Sequence, residues 1–186
     1  MAQSKTIGAG EIQAAIERLV TAIAERHGSA PKLLILGIAN GGIVLARRLA
    51  EKLSARTSNG SIKAGVIDIS FHRDDSRHNP IPKEFAPTQI PADVNGASII
   101  LVDDVLYSGR TVKAALDELF DQGRPTKVEL AVLVDRGGRR LPIAADYHGV
   151  SLSPAESETV LVHLDSTSAD LDQIRIEPAP GGKSAL

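Results

Sequence analysis

Residues 99–111, Ile-Ile-Leu-Val-Asp-Asp-Val-Leu-Tyr-Ser-Gly-Arg-Thr, decide the fold. Four apolar residues predict a buried strand, and Asp103 and Asp104 follow at its carboxyl end. A loop over 105–110 leads into a helix from about Thr111 to Gln122, with apolar side chains at helical spacing. Ligands of open α/β sheets bind beyond the carboxyl ends of the strands. The stretch therefore predicts an α/β fold and the place of its ligand.

The loop has the composition of a phosphate cradle. Its backbone N–H groups can point at one anion, Gly109 allows a close approach, and Ser108 and Thr111 add hydroxyl donors. The helix N-terminus adds a partial positive charge. Neither the Gly-Lys-Ser/Thr ending of a Walker A loop nor the three spaced glycines of a dinucleotide-binding loop is present. The predicted cradle comprises Val105, Leu106, Tyr107, Ser108, Gly109, Arg110 and Thr111.

The two aspartates indicate what lies beside the phosphate. Paired carboxylates accept several hydrogen bonds, and the vicinal hydroxyls of a sugar supply donors at a matching spacing. A phosphate cradle next to Asp103 and Asp104 therefore predicts a site for a 5′-phosphorylated ribose. The alternative is an aspartate pair that only caps the following helix.

The rest of the chain repeats the alternation of strand and helix. Apolar runs predict strands, and apolar residues at helical spacing predict helices. This pattern favours a doubly wound, mostly parallel α/β sheet with a small hood of short strands. No linker divides the chain, so we expect one domain over residues 1–176 and a disordered tail over 177–186. Predicted strands cover 32–38, 62–71, 98–102, 128–134 and 160–164, and predicted helices cover 11–27, 43–53 and 111–122.

Composition excludes several classes of protein. The 186 residues include no cysteine, which rules out disulfides, a thiol nucleophile and cysteine-bound metals. The net charge of −2 argues against non-specific nucleic-acid binding. Apolar runs fall far short of a membrane span, and residues 1–10 lack the apolar core of a signal peptide. We therefore expect a soluble cytoplasmic protein.

Several segments together resemble a known family. Residues 102–111, followed by Gly-Arg-Pro at 123–125 and Leu-Val-Asp-Arg-Gly at 133–137, resemble the phosphoribosyl-pyrophosphate (PRPP) motif and its surroundings in type I phosphoribosyltransferases. Within that group the chain resembles the pyrimidine operon attenuation regulator and uracil phosphoribosyltransferase family, PyrR. Further matches are residues 71–75, 90–93 and 141–147.

The resemblance implies a reaction and its site. Uracil and PRPP would give UMP and pyrophosphate, with Mg²⁺ held by substrate oxygens and by Asp103 or Asp104 through water. The turn of Ala39, Asn40, Gly41 and Gly42 would be the pyrophosphate loop, although the best-known members carry a lysine and an arginine there. Arg73, in the proline-rich segment 72–95, would close over the pyrophosphate as a mobile cation. The turn of Val134, Asp135 and Arg136 would hold the base, with Arg136 reaching either the base or a phosphate.

The family also implies partners, namely leader RNA and a second copy of the chain in a homodimer or higher homo-oligomer. The charge of the regions that bind RNA in such members argues against RNA here. Residues 1–30 have a net charge of zero, and residues 137–186 hold four basic against seven acidic residues. Arg18 and Arg26 are the basic residues left on the first helix.

Two other functions stay open. A non-catalytic, nucleotide-sensing regulator could keep the PRPP cradle without transfer, as the bare pyrophosphate loop permits. A phosphoribosyltransferase for another base would share the same cradle.

Overall fold

The computed structural model describes residues 5–28, 30, 32–57, 60–70 and 87–179. Its regular elements alternate between strand and helix over most of the chain. In chain order they are β1 (Lys5–Gly8), α1 (Ala9–His27), β2 (Leu33–Ile38), α2 (Gly42–Arg56), β3 (Ala64–Ile67), β4 (Ser98–Leu106), α3 (Arg110–Gln122), β5 (Lys127–Asp135), β6 (Tyr147–Ser151), β7 (Glu158–His163), a short 3-10 turn (Ala169–Leu171) and β8 (Gln173–Pro178).

Five parallel strands form the central sheet, in the order β3-β2-β4-β5-β6. Side chains alternate between its two faces: Leu33 and Ile35 pack with α1 and α2, whereas Leu34 and Leu36 pack with α3. Both faces are covered, which explains why the strands are apolar throughout. The predicted doubly wound sheet is confirmed.

A small antiparallel sheet, β1-β8-β7, forms the predicted hood. Asp172 ties it to the helices, because this buried carboxylate accepts hydrogen bonds from Arg48 of α2 and, at 2.9 Å, from Gln13 of α1. The backbone N–H of Asp165 donates to it as well, at 2.9 Å. The hood is therefore attached to the same helices that cover the sheet.

Some predicted boundaries were wrong. Of the strand predicted over 62–71, residue 71 lies outside the described residues, and the rest forms a strand only over Ala64–Ile67. At its carboxyl end, Asp68 turns the chain by accepting hydrogen bonds from the N–H and hydroxyl of Ser70. Glu177 and Pro178, predicted to lie in a tail, belong to β8 and pair with β7. Residues 180–186 lie outside the described residues. None of the helices in the described ranges is both long and apolar enough to span a membrane.

A buried carboxylate joins the end of α1 to the start of β5. Glu129 is 3% exposed and contacts four donors: Arg26 at 2.6 Å, Lys127 at 2.7 Å, the Tyr147 hydroxyl at 3.1 Å, and His27. Burial alone would raise the pKa of Glu129, but the hydrogen bonds from Lys127, His27 and Tyr147 lower it to about 2. Because the folded protein stabilises the ionised form, this stabilisation is complete above the ordinary glutamate pKa and is lost as the pH falls toward 2.

We expect the substitution Glu129→Gln to reduce stability more at pH 7 than at pH 3. The difference in free energy of unfolding between wild type and variant should shrink by about 2 kcal/mol over that range. Urea unfolding at both pH values measures it. Glu25→Gln, an exposed carboxylate on α1, is the control. An equal wild-type-to-variant difference at both pH values would contradict the assignment.

Candidate functional site

The candidate site lies at the carboxyl ends of three neighbouring strands. β4 pairs with β2 on one side and with β5 on the other, all in parallel, so the segments after these strands meet at one edge of the sheet. The three segments contain the predicted pyrophosphate loop, the predicted cradle and the predicted base turn. The structure therefore brings together three groups of residues that are far apart in the sequence.

The predicted cradle spans the end of β4, a turn and the start of α3. Val105 and Leu106 lie in β4 and pair with Val134 and Asp135 of β5, so they belong to the strand. The turn covers residues 107–109, and α3 begins at Arg110. Of the predicted residues, 107–111 are the ones that follow the strand, and they include the N-terminus of α3.

Gly109 shapes this turn. Its φ of +91° lies in the left-handed region that favours glycine, and it directly precedes α3. The first turn of α3 contains no acidic residue, so no side chain of that turn offsets the positive end of the helix dipole. The Ser108 hydroxyl accepts a hydrogen bond from the N–H of Arg110 at 3.3 Å. This geometry suits the binding of an anion.

The two aspartates lie within β4 rather than after it. Asp103 is 5% exposed and Asp104 is half-buried. Asp103 Oδ1 accepts the N–H of Asp104 at 3.0 Å, and Asp104 Oδ1 accepts the N–H of Val105 at 2.7 Å. Burial, followed by the charge of Asp104, raises the pKa of Asp103, and burial raises the pKa of Asp104. Hydrogen-bond donors or a cation brought by a ligand would therefore stabilise both carboxylates.

The loop after β2 packs directly against Asp104. A Cβ atom on Gly41 would lie 2.5 Å from the Asp104 carboxylate, and one on Gly42 would overlap the carbonyl oxygen of Val102. The N–H of Ala39 donates to Ile67 at 2.9 Å, and the Ala39–Asn40 peptide bond is cis. The two glycines thus let this loop and the start of α2 lie against β4, with Asp104 between the loop and the cradle.

Within the described residues, the turn after β5 contains a buried side-chain nitrogen that has no hydrogen-bond partner. Val134 is fully buried in β5, and the carboxylate of Asp135 accepts the N–H of Gly137 at 2.9 Å and Arg139 at 2.6 Å. Arg136 lies over the ring of Tyr107, 3.9 Å from its centre, and its buried Nε has no partner within the described chain. Arg136 is therefore the member of the predicted base turn whose side chain can still donate.

Arg139 was missed by the sequence analysis. Its guanidinium connects the turn after β5 with the turn after β4, through the carbonyl oxygens of Leu106 and Tyr107. Its spacing of four from Asp135 is the only sequence signal, and such a spacing in a loop does not distinguish an ion pair from a solvated charge.

Three further predicted residues remain: Arg73, Arg18 and Arg26. Arg73 lies outside the described residues. Arg18 donates to the carbonyl of Gly149 at 2.8 Å, and Arg26 is held by Glu129 and Tyr147. Within the part of the chain that the structure describes, no group of three or more His, Cys, Asp or Glu side chains could hold a metal ion.

Comparisons with known proteins show the family of the chain. The family model described as "Phosphoribosyl transferase domain" matches residues 8–167. The "Bifunctional protein PyrR" of Deinococcus deserti is 50% identical over 162 residues, 86% of each chain. That of Streptomyces coelicolor is 46% identical over 174 residues, 92% of this chain and 89% of the relative.

Solved structures support the fold. The hypoxanthine phosphoribosyltransferase of Trypanosoma cruzi aligns with a TM-score of 0.65 at 18% identity, over 92% of this chain and 94% of that one. A hypoxanthine-guanine phosphoribosyltransferase from Bacillus anthracis aligns with a TM-score of 0.59 at 19% identity, over 80% and 82%. At these identities the likeness concerns the fold alone.

Because Gly42 packs closely against β4, we expect a single added methyl group at this position to destabilise the protein. Gly42→Ala should lower the thermal unfolding midpoint by about 6 °C or more, because the new Cβ overlaps a backbone oxygen that cannot move. Gly10→Ala is the matched control, since Gly10 also lies in the first turn of a helix but faces open space. Calorimetry of both variants measures the effect, and similar midpoints would show that the close approach is not required.

Proposed function

The chain belongs to the PyrR family of phosphoribosyltransferases, and on this premise we propose that it converts uracil and PRPP into UMP and pyrophosphate. The observation that carries the proposal is the position of Asp103 and Asp104 between the loop of residues 39–42 and the turn before α3, whose geometry suits an anion. PRPP carries a phosphate at one end of its ribose, a pyrophosphate at the other, and vicinal hydroxyls between them. The site presents the complementary groups in the same order.

Each end of PRPP has a matching element. The 5′-phosphate would bind the backbone N–H groups of residues 107–111 and the N-terminus of α3. The hydroxyls would donate to Asp103 and Asp104, which stabilises the two buried carboxylates. The pyrophosphate would face the loop of Ala39, Asn40, Gly41 and Gly42, which lies against Asp104.

The transfer itself needs no protein nucleophile. The bond from the ribose C1′ to the pyrophosphate oxygen breaks, and pyrophosphate leaves with the electron pair. A nitrogen of uracil forms the new bond to C1′ and loses its proton. Positive charge develops on the ribose in between, so the protein contributes by positioning the reactants and by placing carboxylates beside that charge.

Mg²⁺ fits the donor set of this site. Carboxylate oxygens are suitable ligands, and Asp103 and Asp104 would hold the ion together with oxygens of PRPP, directly or through water. When bound, the ion offsets the negative charge of the departing pyrophosphate. This would matter more here than in members with a lysine and an arginine in the pyrophosphate loop, because Ala39 and Gly41 bring no charge.

We assign recognition of the base to the turn of Val134, Asp135 and Arg136. The buried Nε of Arg136 is the available donor, and the guanidinium lies flat on the Tyr107 ring. Arg73 is proposed as the cation that closes over the pyrophosphate.

A second function is favoured by the bare pyrophosphate loop. With Ala39 and Gly41 in place of charged residues, the protein could bind nucleotide in the cradle without transferring ribose, and act as a nucleotide-sensing regulator. Leader RNA is proposed as a partner from the family, although the charge of α1 argues against it. On α1, Arg18 and Arg26 are engaged within the chain, and Glu17 holds Lys52 and Arg56. A homodimer is proposed from the family.

A steady-state assay of nucleotide formation tests the enzyme directly. Uracil, hypoxanthine, guanine and adenine are compared, each with PRPP and Mg²⁺. We expect turnover with uracil above that with any purine. Turnover with a purine but not with uracil would show a phosphoribosyltransferase for another base. The absence of turnover with any base would favour the non-catalytic regulator.

The two predicted roles can be separated by substitution. Asp104→Ala should raise the KM for PRPP by about tenfold or more, because charge-assisted hydrogen bonds to the ribose are lost. Arg73→Ala should chiefly lower kcat, because a cation that closes over the leaving group acts in the transition state. Initial-rate kinetics measure both, and an equal loss of PRPP affinity in the two variants would contradict this division.

A further inference from the structure

Arg139 forms an ion pair with Asp135 and also donates hydrogen bonds to several backbone carbonyl groups. Its Nη1 donates to Leu106 at 3.2 Å, to Tyr107 at 3.0 Å and to Gly137 at 3.3 Å. Its Nε donates to Ile143 at 3.0 Å, while Nη2 binds Asp135 at 2.6 Å. One planar guanidinium thus joins the turn after β4 to the turn after β5.

The neighbouring backbone continues the same contact. The N–H groups of Arg140 and Leu141 both donate to the carbonyl of Ser108, at 3.0 and 3.1 Å, and the N–H of Arg136 donates to Leu106 at 3.1 Å. The carbonyl oxygens of 106, 107 and 108 therefore all point toward residues 136–141. A Cβ on Gly109 would lie 3.3 Å from Leu141, so this segment lies directly behind the whole turn.

The direction of these carbonyls determines the direction of the N–H groups. In a planar trans peptide the C=O and the following N–H point in opposite directions. The peptide groups between 106 and 109 are trans. The N–H groups of Tyr107, Ser108 and Gly109 consequently point away from Arg139, toward the side where a phosphate would bind.

We propose that Arg139 is a positioning residue of the phosphate cradle, which holds the carbonyls of Leu106 and Tyr107 so that the following N–H groups converge on the 5′-phosphate. The inference rests on the proposed function, because it takes this turn as the phosphate site. Arg139 acts through the backbone and does not itself touch the substrate. The same guanidinium holds Asp135, so it also links the geometry of the phosphate site to that of the base turn.

The charge of this pair is maintained over the working pH range. Burial raises the pKa of Asp135, but hydrogen bonds from the N–H of Gly137 and the Arg139 guanidinium lower it below its usual value. Lysine could preserve this ion pair, but a single ammonium group cannot reproduce a planar fork with donors in several fixed directions. The fork, rather than the charge alone, is what the proposal requires.

Calorimetric titration of the full chain with PRPP and with UMP tests the proposal. Both ligands carry the 5′-phosphate, so Arg139→Met should weaken both by about tenfold or more. Arg139→Lys should remain similarly weakened although it keeps the positive charge. Arg124→Met is the matched control, since Arg124 also donates to a backbone carbonyl, that of Gly123, but at the far end of α3. It should bind both ligands as wild type does.

Amide NMR supplies a readout that a merely structural role would not change. At saturating UMP, the wild-type amide resonances of Tyr107, Ser108 and Gly109 should shift, and these shifts should be smaller in Arg139→Met and Arg139→Lys. Failure of the wild type to bind PRPP or UMP would overturn the proposed function together with this inference. Wild-type binding with unchanged affinity in both variants, or weaker binding with unchanged amide shifts, would overturn the inference alone.

Discussion

The pairing of β4 on both sides is the constraint on which the site depends. Its residues 98–102 pair with β2, and its residues 98–106 pair with β5, apart from Asp104. A strand held in this way cannot shift without breaking both ladders. The two aspartates and the start of the cradle are therefore held in place by the core of the protein, whereas the loops on either side are positioned by contact with it.

The position of β4 places two carboxylates where burial disfavours their ionised forms. Asp103 is buried next to Asp104, and burial raises the pKa of both. A folded protein without a ligand gains nothing from this arrangement. On the proposed function, donors that arrive with the ligand would stabilise both carboxylates and offset the free-energy cost of their burial. The close approach of Gly41 to Asp104 brings the loop after β2 next to the same carboxylate.

Features that depend on residues close together in the sequence could be predicted, whereas features that depend on residues far apart in the sequence could not. The strand over 98–102 and the helix after it were visible because apolar spacing is local. The extension of β4 to Leu106 was not, since its pairing with Asp135 joins residues that are far apart in the chain. Phe120 fits the apolar spacing of α3 but is 42% exposed, beside Arg124. The family was predictable from 102–111, whereas the contacts of Arg139 required the fold.

The central claim is that one rigid strand end holds the ribose of a nucleotide between two anion-binding loops. A crystal structure of the protein with UMP tests it most directly. We expect phosphate oxygens within hydrogen-bond distance of the N–H groups of Ser108 and Gly109, and ribose hydroxyls within hydrogen-bond distance of Asp103 and Asp104. A nucleotide whose phosphate lies away from residues 107–111, or whose hydroxyls do not reach the aspartates, would contradict it.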